Sequence, residues 1–407
     1  MIQPPRAAAT PASPSASRRT RATFLPFSPP SIGEEEIAEV VDTLRSHWIT
    51  TGPKTKRFER EFACALGLDK DRVLMLNSCT AGLHLALVAL GVGPGDEVIV
   101  PSLTFAASAN VVEHVGATPV LVDIDPYTLC LNPDAAERAL TSRTRALMVV
   151  HHSGHPADLA PLDRLTAAHD LAIVEDAAHA LPSTYRGVRI GSRPTLSAFS
   201  FYATKNMTTA EGGALTGPPE LIERARELSL HGMTKGAWTR YAKGGSWLYD
   251  ITYPGFKYNM TDLQAALGLH QLRKLPRFHA RRARIASLYT QAFADHPALE
   301  TPYEASDVTS SWHLYVLRLR PEGLSIGRDA FIEELGARNI GTSVHFRPLH
   351  LMSYYAETYG YTPDDFPVAQ DAYSRMISLP LYPGLSDDDV QDVIHAVLEV
   401  ATQHLRA

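Results

Sequence analysis

Between about residues 70 and 216 the chain repeats one alternation: a short apolar run, then a helical stretch. The apolar runs are RVLMLN (72–77), EVIVP (97–101), TPVLVDI (118–124), ALMVVHH (146–152), LAIVED (171–176), LSAFSFY (196–202) and GALTG (213–217). Between them lie segments such as TAGLHLALVALG, FAASANVVEHVG, PDAAERAL and LAPLDRLTAAHD, with amphipathic or apolar helical patterns. Strands that are apolar on both faces and alternate with helices predict an α/β fold, a mostly parallel seven-stranded sheet covered on both sides. Such sheets bind ligands outside the carboxyl ends of their strands. The residues to inspect are therefore 77–81, 102–105, 123–125, 176–179 and 200–205.

The remaining chain fits around that sheet. Residues 218–230 and 261–290 read as helices, and the basic end of the second, QLRKLPRFHARRARIA, reads as a solvated face. From about 310 the pattern becomes HLYVLRL, a helix around RDAFIEELGARN, then SVHFRPLH and a final helix DDDVQDVIHAVLEVATQHL. We expect a large domain over 24–280 and a small C-terminal α/β domain over 281–407. Residues 1–23 are rich in Ala, Pro, Ser and Arg and lack the apolar core of a signal peptide. Their prolines also spoil the amphipathic helix of a transit peptide, so a disordered extension is expected.

Charge and cysteine content narrow the partners. A net charge of -6 gives no basic field for nucleic acid or an anionic membrane, and no apolar run spans a bilayer. Cys64, Cys79 and Cys130 are odd in number and widely spaced, which suits free thiols in a reducing cytoplasm. The histidines of HHSGH (151–155) follow a strand with no acid beside them, so a pocket-lining loop is expected and no metal. The glycines of GVGPGDEV precede a strand, as a turn would, and lack dinucleotide-binding spacing.

The strand ends carry the chemistry. N-S-C-T-A-G-L-H (77–84) places hydroxyls at a helix start, whose free N–H groups and positive end suit either a phosphate or simple N-capping. Phe105, just past the second strand, suits a planar ring or plain core. V-E-D-A-A-H-A (174–180) puts Asp176 at a strand end, where a buried acid is costly unless it holds a cation; a protonated ring nitrogen is one. Lys205 closes the run FSFYATK, and a desolvated lysine is a nucleophile toward aldehydes. Phosphate cradle, aromatic wall, aspartate and lysine in that order are the parts of a pyridoxal phosphate (PLP) site.

With those parts in place the chain resembles the sugar aminotransferases of the DegT/DnrJ/EryC1/StrS family, within fold type I of the PLP enzymes. The resemblance runs from about Phe24 to the C-terminus through FSPPSIGEEEI, WITTGPKTKRFE, NSCTAGLHLAL, PSLTF, EDAAHA, FSFYATKNMTTAEGG, PGFKYNMTDLQAALGLHQL, SVHFRPLHL and SLPLYPGLSDDDV. It implies Lys205 as the lysine that carries the cofactor, Asp176 as the acid on the pyridine nitrogen and Phe105 as the stacking aromatic. It further implies Thr80, Ala81 and Ser200 at the phosphate and His179 near the ring hydroxyl. Asn259 matches an asparagine that reaches the neighbouring subunit's cofactor, which implies a homodimer with shared sites. Trp48, Thr51, Gly52 and His345 match sugar-nucleotide segments. Relatives often read F-S-F-H-x-x-K where this chain has Tyr202, and the resemblance gives that position no role. The family lacks an arginine for a substrate carboxylate, although Arg347 offers a weaker alternative.

The expected activity is transamination of a nucleotide-linked keto-sugar with glutamate or glutamine as donor. A cyclitol ketone or an aminobenzoate-type precursor is the near alternative. A sugar dehydratase of this superfamily would usually carry histidine in place of Lys205, and a non-catalytic regulator would not need the complete site.

Overall fold

The seven apolar runs do fold side by side. The computed structural model of the chain describes residues 21–233 and 248–406; most of the expected disordered extension, residues 1–20, lies outside the described residues. In chain order the strands are β1 (Val73–Leu76), β2 (Glu97–Pro101), β3 (Thr118–Val122), β4 (Thr144–Val150), β5 (Ala172–Asp176), β6 (Thr184–Tyr185) and β7 (Val188–Arg189). They continue with β8 (Leu196–Ser200), β9 (Gly213–Thr216), β10 (Leu299–Glu300), β11 (Val308–Thr309), β12 (Tyr315–Leu319) and β13 (Met376–Leu379).

The main sheet has the order β1-β9-β8-β5-β4-β2-β3. Strands β3, β2, β4, β5 and β8 run parallel, while β9 runs antiparallel to both β8 and β1. Both faces are buried, which is why the strands read as unbroken apolar runs. In β1, Leu74 and Leu76 enter one core, while Val73 and Met75 enter the other.

Helices cover the two faces: α1 (Glu34–Arg45), α2 (Pro53–Leu66), α3 (Cys79–Leu90) and α4 (Ala107–His114) are the first four. A 32-residue helix, Asp262–Phe293, starts with a capping box between Thr261 and Gln264. Its first half packs Ala265, Leu269 and Leu272 under the main sheet, and its second half gives Ile285, Tyr289 and Phe293 to a third core. The position expected to separate the domains, 280/281, falls inside this helix. The third core packs against a small sheet of order β10-β12-β13.

Two details of the smaller lobe differ from the sequence reading. Leu25 bridges to Ile340 and is buried in the third core, so the segment after residue 20 packs with the C-terminal part of the chain. Arg282, in the stretch read as a solvated face, is buried, and its Nη1 donates to the carbonyls of Trp312, His313 and Leu381. Its helix position faces the lobe and not solvent, and burial pushes its pKa down to about 9.

Candidate active site

At the carboxyl ends of β1, β2, β5 and β8 the loops enclose a cavity of about 330 Å³. Seven residues expected from sequence line it together: Thr80, Phe105, Asp176, His179, Ser200, Lys205 and His345. They come from chain positions far apart, and the sheet order is what collects them.

The pair Glu175–Asp176 separates because successive strand residues point to opposite faces. Asp176 faces the cavity. Its Oδ2 accepts from Ser108 Oγ at 2.7 Å and its Oδ1 from the Ala178 N–H at 3.1 Å. Glu175 faces the other way, fully buried, where it meets His151 Nε2 at 3.2 Å and accepts from Thr195 Oγ1 at 2.7 Å. Burial pushes its pKa up, but the bonds from His151 and Thr195 and the nearby Arg193 outweigh that and hold it below the usual carboxylate value. The acid missing beside the 151–155 histidines in sequence thus arrives from the next strand, and it forms a structural pair. Nor does that loop line the cavity; Val150, just before it, does.

Lys205 sits in the turn after β8, with its N–H donating to Tyr202 O at 3.0 Å. Burial pushes its pKa down to about 8, against the opposing pull of Asp176 and Cys79. Its amine is therefore partly neutral at physiological pH. Cys79 is an inert neighbour, because burial and then Asp176 raise its thiol pKa well above normal.

Three cavity histidines are kept neutral, chiefly by burial and then by Lys205: His179 and His313 are pushed well below the ordinary value and His345 to about 4. Their tautomers follow from their partners. His179 Nδ1 accepts the Ser153 N–H at 3.3 Å, so its proton is on Nε2. Asn206 spends its Nδ2 on the carbonyls of Leu181 and Ser311, so its Oδ1 accepts from His313 Nδ1 at 3.1 Å. The His179 ring lies 4.2 Å from that of His313 and 5.8 Å from Phe346, at interplanar angles of 37° and 23°. Sequence reasoning missed His313, Phe346 and Glu211 as cavity residues. Phe346 follows His345 directly, and His313 opens the run HLYVLRL, so proximity to segments already in view was the available signal.

The other expected residues lie elsewhere. The Ala81 N–H donates to Ser78 Oγ at 3.1 Å, a helix cap, and Ala81 is not among the cavity-lining residues. Trp48, Thr51, Gly52 and Asn259 cluster away from the cavity: Asn259 Nδ2 donates to Thr51 Oγ1 at 2.6 Å, and Trp48 Nε1 to Thr51 O at 3.1 Å. Asp262, unnoticed in the sequence, ties this cluster down by accepting from the N–H groups of Gly52, Lys54 and Thr55. Arg347 is exposed and donates to Leu351 O.

The residues fit a pyridoxal phosphate. The first N–H groups of α3 have no carbonyl a turn earlier to accept them, and Ser200 and Thr80 stand beside them. Gly213 keeps that cradle tight: a Cβ there would meet Cys79 N, Phe199 O and Ser78 C, each at 2.6 Å. Asp176 keeps acceptor capacity toward the cavity, opposite a lysine of lowered pKa.

Comparison with known proteins gives the same picture. The model of the DegT/DnrJ/EryC1/StrS aminotransferase family matches residues 30–398. The spore coat polysaccharide biosynthesis protein SpsC of Bacillus subtilis is 50% identical over 379 residues, 93% of this chain and 97% of SpsC. Among solved structures, the PLP form of Spr1654 from Streptococcus pneumoniae, provisionally assigned as a sugar aminotransferase, is 41% identical with a TM-score of 0.86, covering 93% of this chain and 99% of its own. PseC of Helicobacter pylori, an aminotransferase involved in pseudoaminic acid biosynthesis, is 29% identical with a TM-score of 0.85, over 94% of this chain and 100% of PseC.

Proposed function

The chain belongs to the DegT/DnrJ/EryC1/StrS aminotransferase family, a PLP-dependent family, and we propose that this member aminates a nucleotide-linked keto-sugar with glutamate or glutamine as donor. The observation that carries the reading is one cavity holding Lys205 and Asp176 behind a wall of Phe105, Phe346, Tyr202 and His345, with Glu211 at its side. Aromatic faces and hydrogen-bonding groups together suit a polyhydroxylated ring. No arginine is among the described residues that line the cavity. The sugar-polymer role of SpsC and the pseudoaminic acid role of PseC point the same way.

Bound PLP supplies a carbonyl that takes up an amine and a ring that withdraws electrons from the carbon bearing it. Lys205, partly neutral, would hold the cofactor through Nζ, and its amine, once released, is the group on this chain that would move the proton at the donor's α-carbon. Asp176 would accept a hydrogen bond from the ring nitrogen and so hold that nitrogen in its protonated form. His179, whose Nδ1 is occupied by the Ser153 N–H, would have its Nε2–H to give to the ring oxygen. Thr80, Ser200 and the start of α3 hold the phosphate. Ala81 contributes by holding Ser78 in its capping position. Asn259, with Trp48, Thr51 and Gly52, serves the neighbouring subunit's site in a homodimer, which is why these residues stand outside their own cavity.

The test has two arms. Borohydride treatment of the PLP-loaded protein should fix the cofactor to Lys205, as peptide mapping reads, and Lys205→Ala should fold without turning over. The pyridoxamine form is then mixed with TDP- and UDP-linked 3-keto and 4-keto sugars and with cyclitol ketones. Recovery of the PLP spectrum with a nucleotide sugar is expected; recovery with the cyclitol ketones alone sinks the proposed substrate class.

A further inference from the structure

The segment that supplies the aromatic wall also supplies a buried support for Asp176. Phe105 and Thr104 both line the cavity, Thr104 with only 1% exposure, while Ser108, four residues on from Thr104 where α4 begins, is buried behind them with 0% exposure. Ser108 Oγ lies 2.7 Å from Asp176 Oδ2 and 2.8 Å from Thr104 Oγ1. A carboxylate has no hydrogen to give, so Ser108 donates to Asp176. A hydroxyl has one hydrogen, so the contact with Thr104 is donated by Thr104. Both hydroxyl protons therefore point toward Asp176, and each bond polarises the next. On the other oxygen the Ala178 N–H at 3.1 Å completes the support from within the protein, while the Cys79 thiol, 3.9 Å from it, lies closer to Ala198 O at 3.4 Å. A carboxylate accepts at about four positions. Two are engaged from within, which leaves the carboxylate able to accept from the cavity it lines.

We propose that Ser108, oriented by Thr104, is a positioning residue that aims the Asp176 carboxylate at the cofactor's ring nitrogen. This rests on the reading of Asp176 given above. Ser108 itself does not reach the cavity and does no chemistry.

The experiment measures PLP affinity of the apoprotein by titration, then donor half-reaction kinetics, for wild type, Ser108→Ala, Thr104→Val, Asp176→Asn and the Ser108→Ala/Asp176→Asn double variant. One hydrogen bond to a charged group corresponds to roughly a tenfold effect, so Ser108→Ala should weaken PLP binding about tenfold. It should also lower kcat for the donor with little change in KM. Thr104→Val, which leaves Ser108 in place, should shift both in the same direction by about threefold. In the Asp176→Asn background the Ser108→Ala change should have almost no further effect, since its action passes through the carboxylate. Wild-type affinity in Ser108→Ala, or an equal loss in both backgrounds, overturns the inference and leaves the Asp176 role standing. Unchanged PLP affinity in Asp176→Asn overturns that role, and the inference with it.

Discussion

Lys205, the proposed cofactor lysine, shows what a buried amine does to the energetics of the fold that holds it. Its pKa in the folded apoprotein is about 8, against 10.5 for a free lysine. Below pH 8 the fold carries an ammonium with poor solvation, and the cost is fully present. Between pH 8 and 10.5 the unfolded chain holds a proton that the folded one lacks, so stability rises with pH; above 10.5 the cost has gone. Lys205→Met should therefore stabilise the apoprotein at pH 7 by roughly 1 to 3 kcal/mol and by almost nothing near pH 10.5, as thermal melts at the two pH values would read. Equal melts at pH 7 would contradict it. The same energetic oddity makes Lys205 and Asp176 legible in the sequence: a charge at the end of an apolar strand demands a reason. His313 and Phe346 carry no such mark, because a histidine or phenylalanine in an apolar run is ordinary core until the fold brings it against His179. Ser108 is still less visible, since a serine beside a helix start looks like a cap.

Among the elements, the seven strands were legible because their apolar runs are continuous and bounded by turns. Their order and the reversal of β9 were not, since an apolar run buried on both faces does not encode its direction. That reversal brings Gly213 against the start of α3. The three atoms a Cβ would strike there are all backbone, so no flexible side chain can yield. Gly213→Ala should cost about 2 to 4 kcal/mol in denaturant unfolding and weaken PLP binding, because strand and helix start must separate. A stability within about 0.5 kcal/mol of wild type would show that the cradle is looser than the structure has it. The burial of Glu175 was hidden for a related reason: the alternation of strand faces sends two adjacent acids to different tasks, one toward His151 and one toward the cavity.

At the scale of the whole molecule, the chain alone leaves part of the expected site apart. Asn259 and Thr51 bond to each other, while Lys205 and Asp176 line a cavity to which neither contributes. No sequence motif states which subunit a side chain serves. In the proposed homodimer a Lys205→Ala subunit still offers Asn259 to its partner. Mixing and refolding Lys205→Ala with Asn259→Ala protein should then yield heterodimers with one intact site, and activity should exceed that of either variant alone. No recovery in confirmed heterodimers would put Asn259 in its own subunit's chemistry or in none. Segments far apart in the chain also meet: Leu25 pairs with Ile340, and Arg21 reaches Asp389 and Asp392 at 2.7 and 2.6 Å. A ribosome makes Leu25 long before Ile340, so the smaller lobe's apolar interior stays open on the nascent chain until the segment around Ile340 emerges, a long-lived target for chaperones.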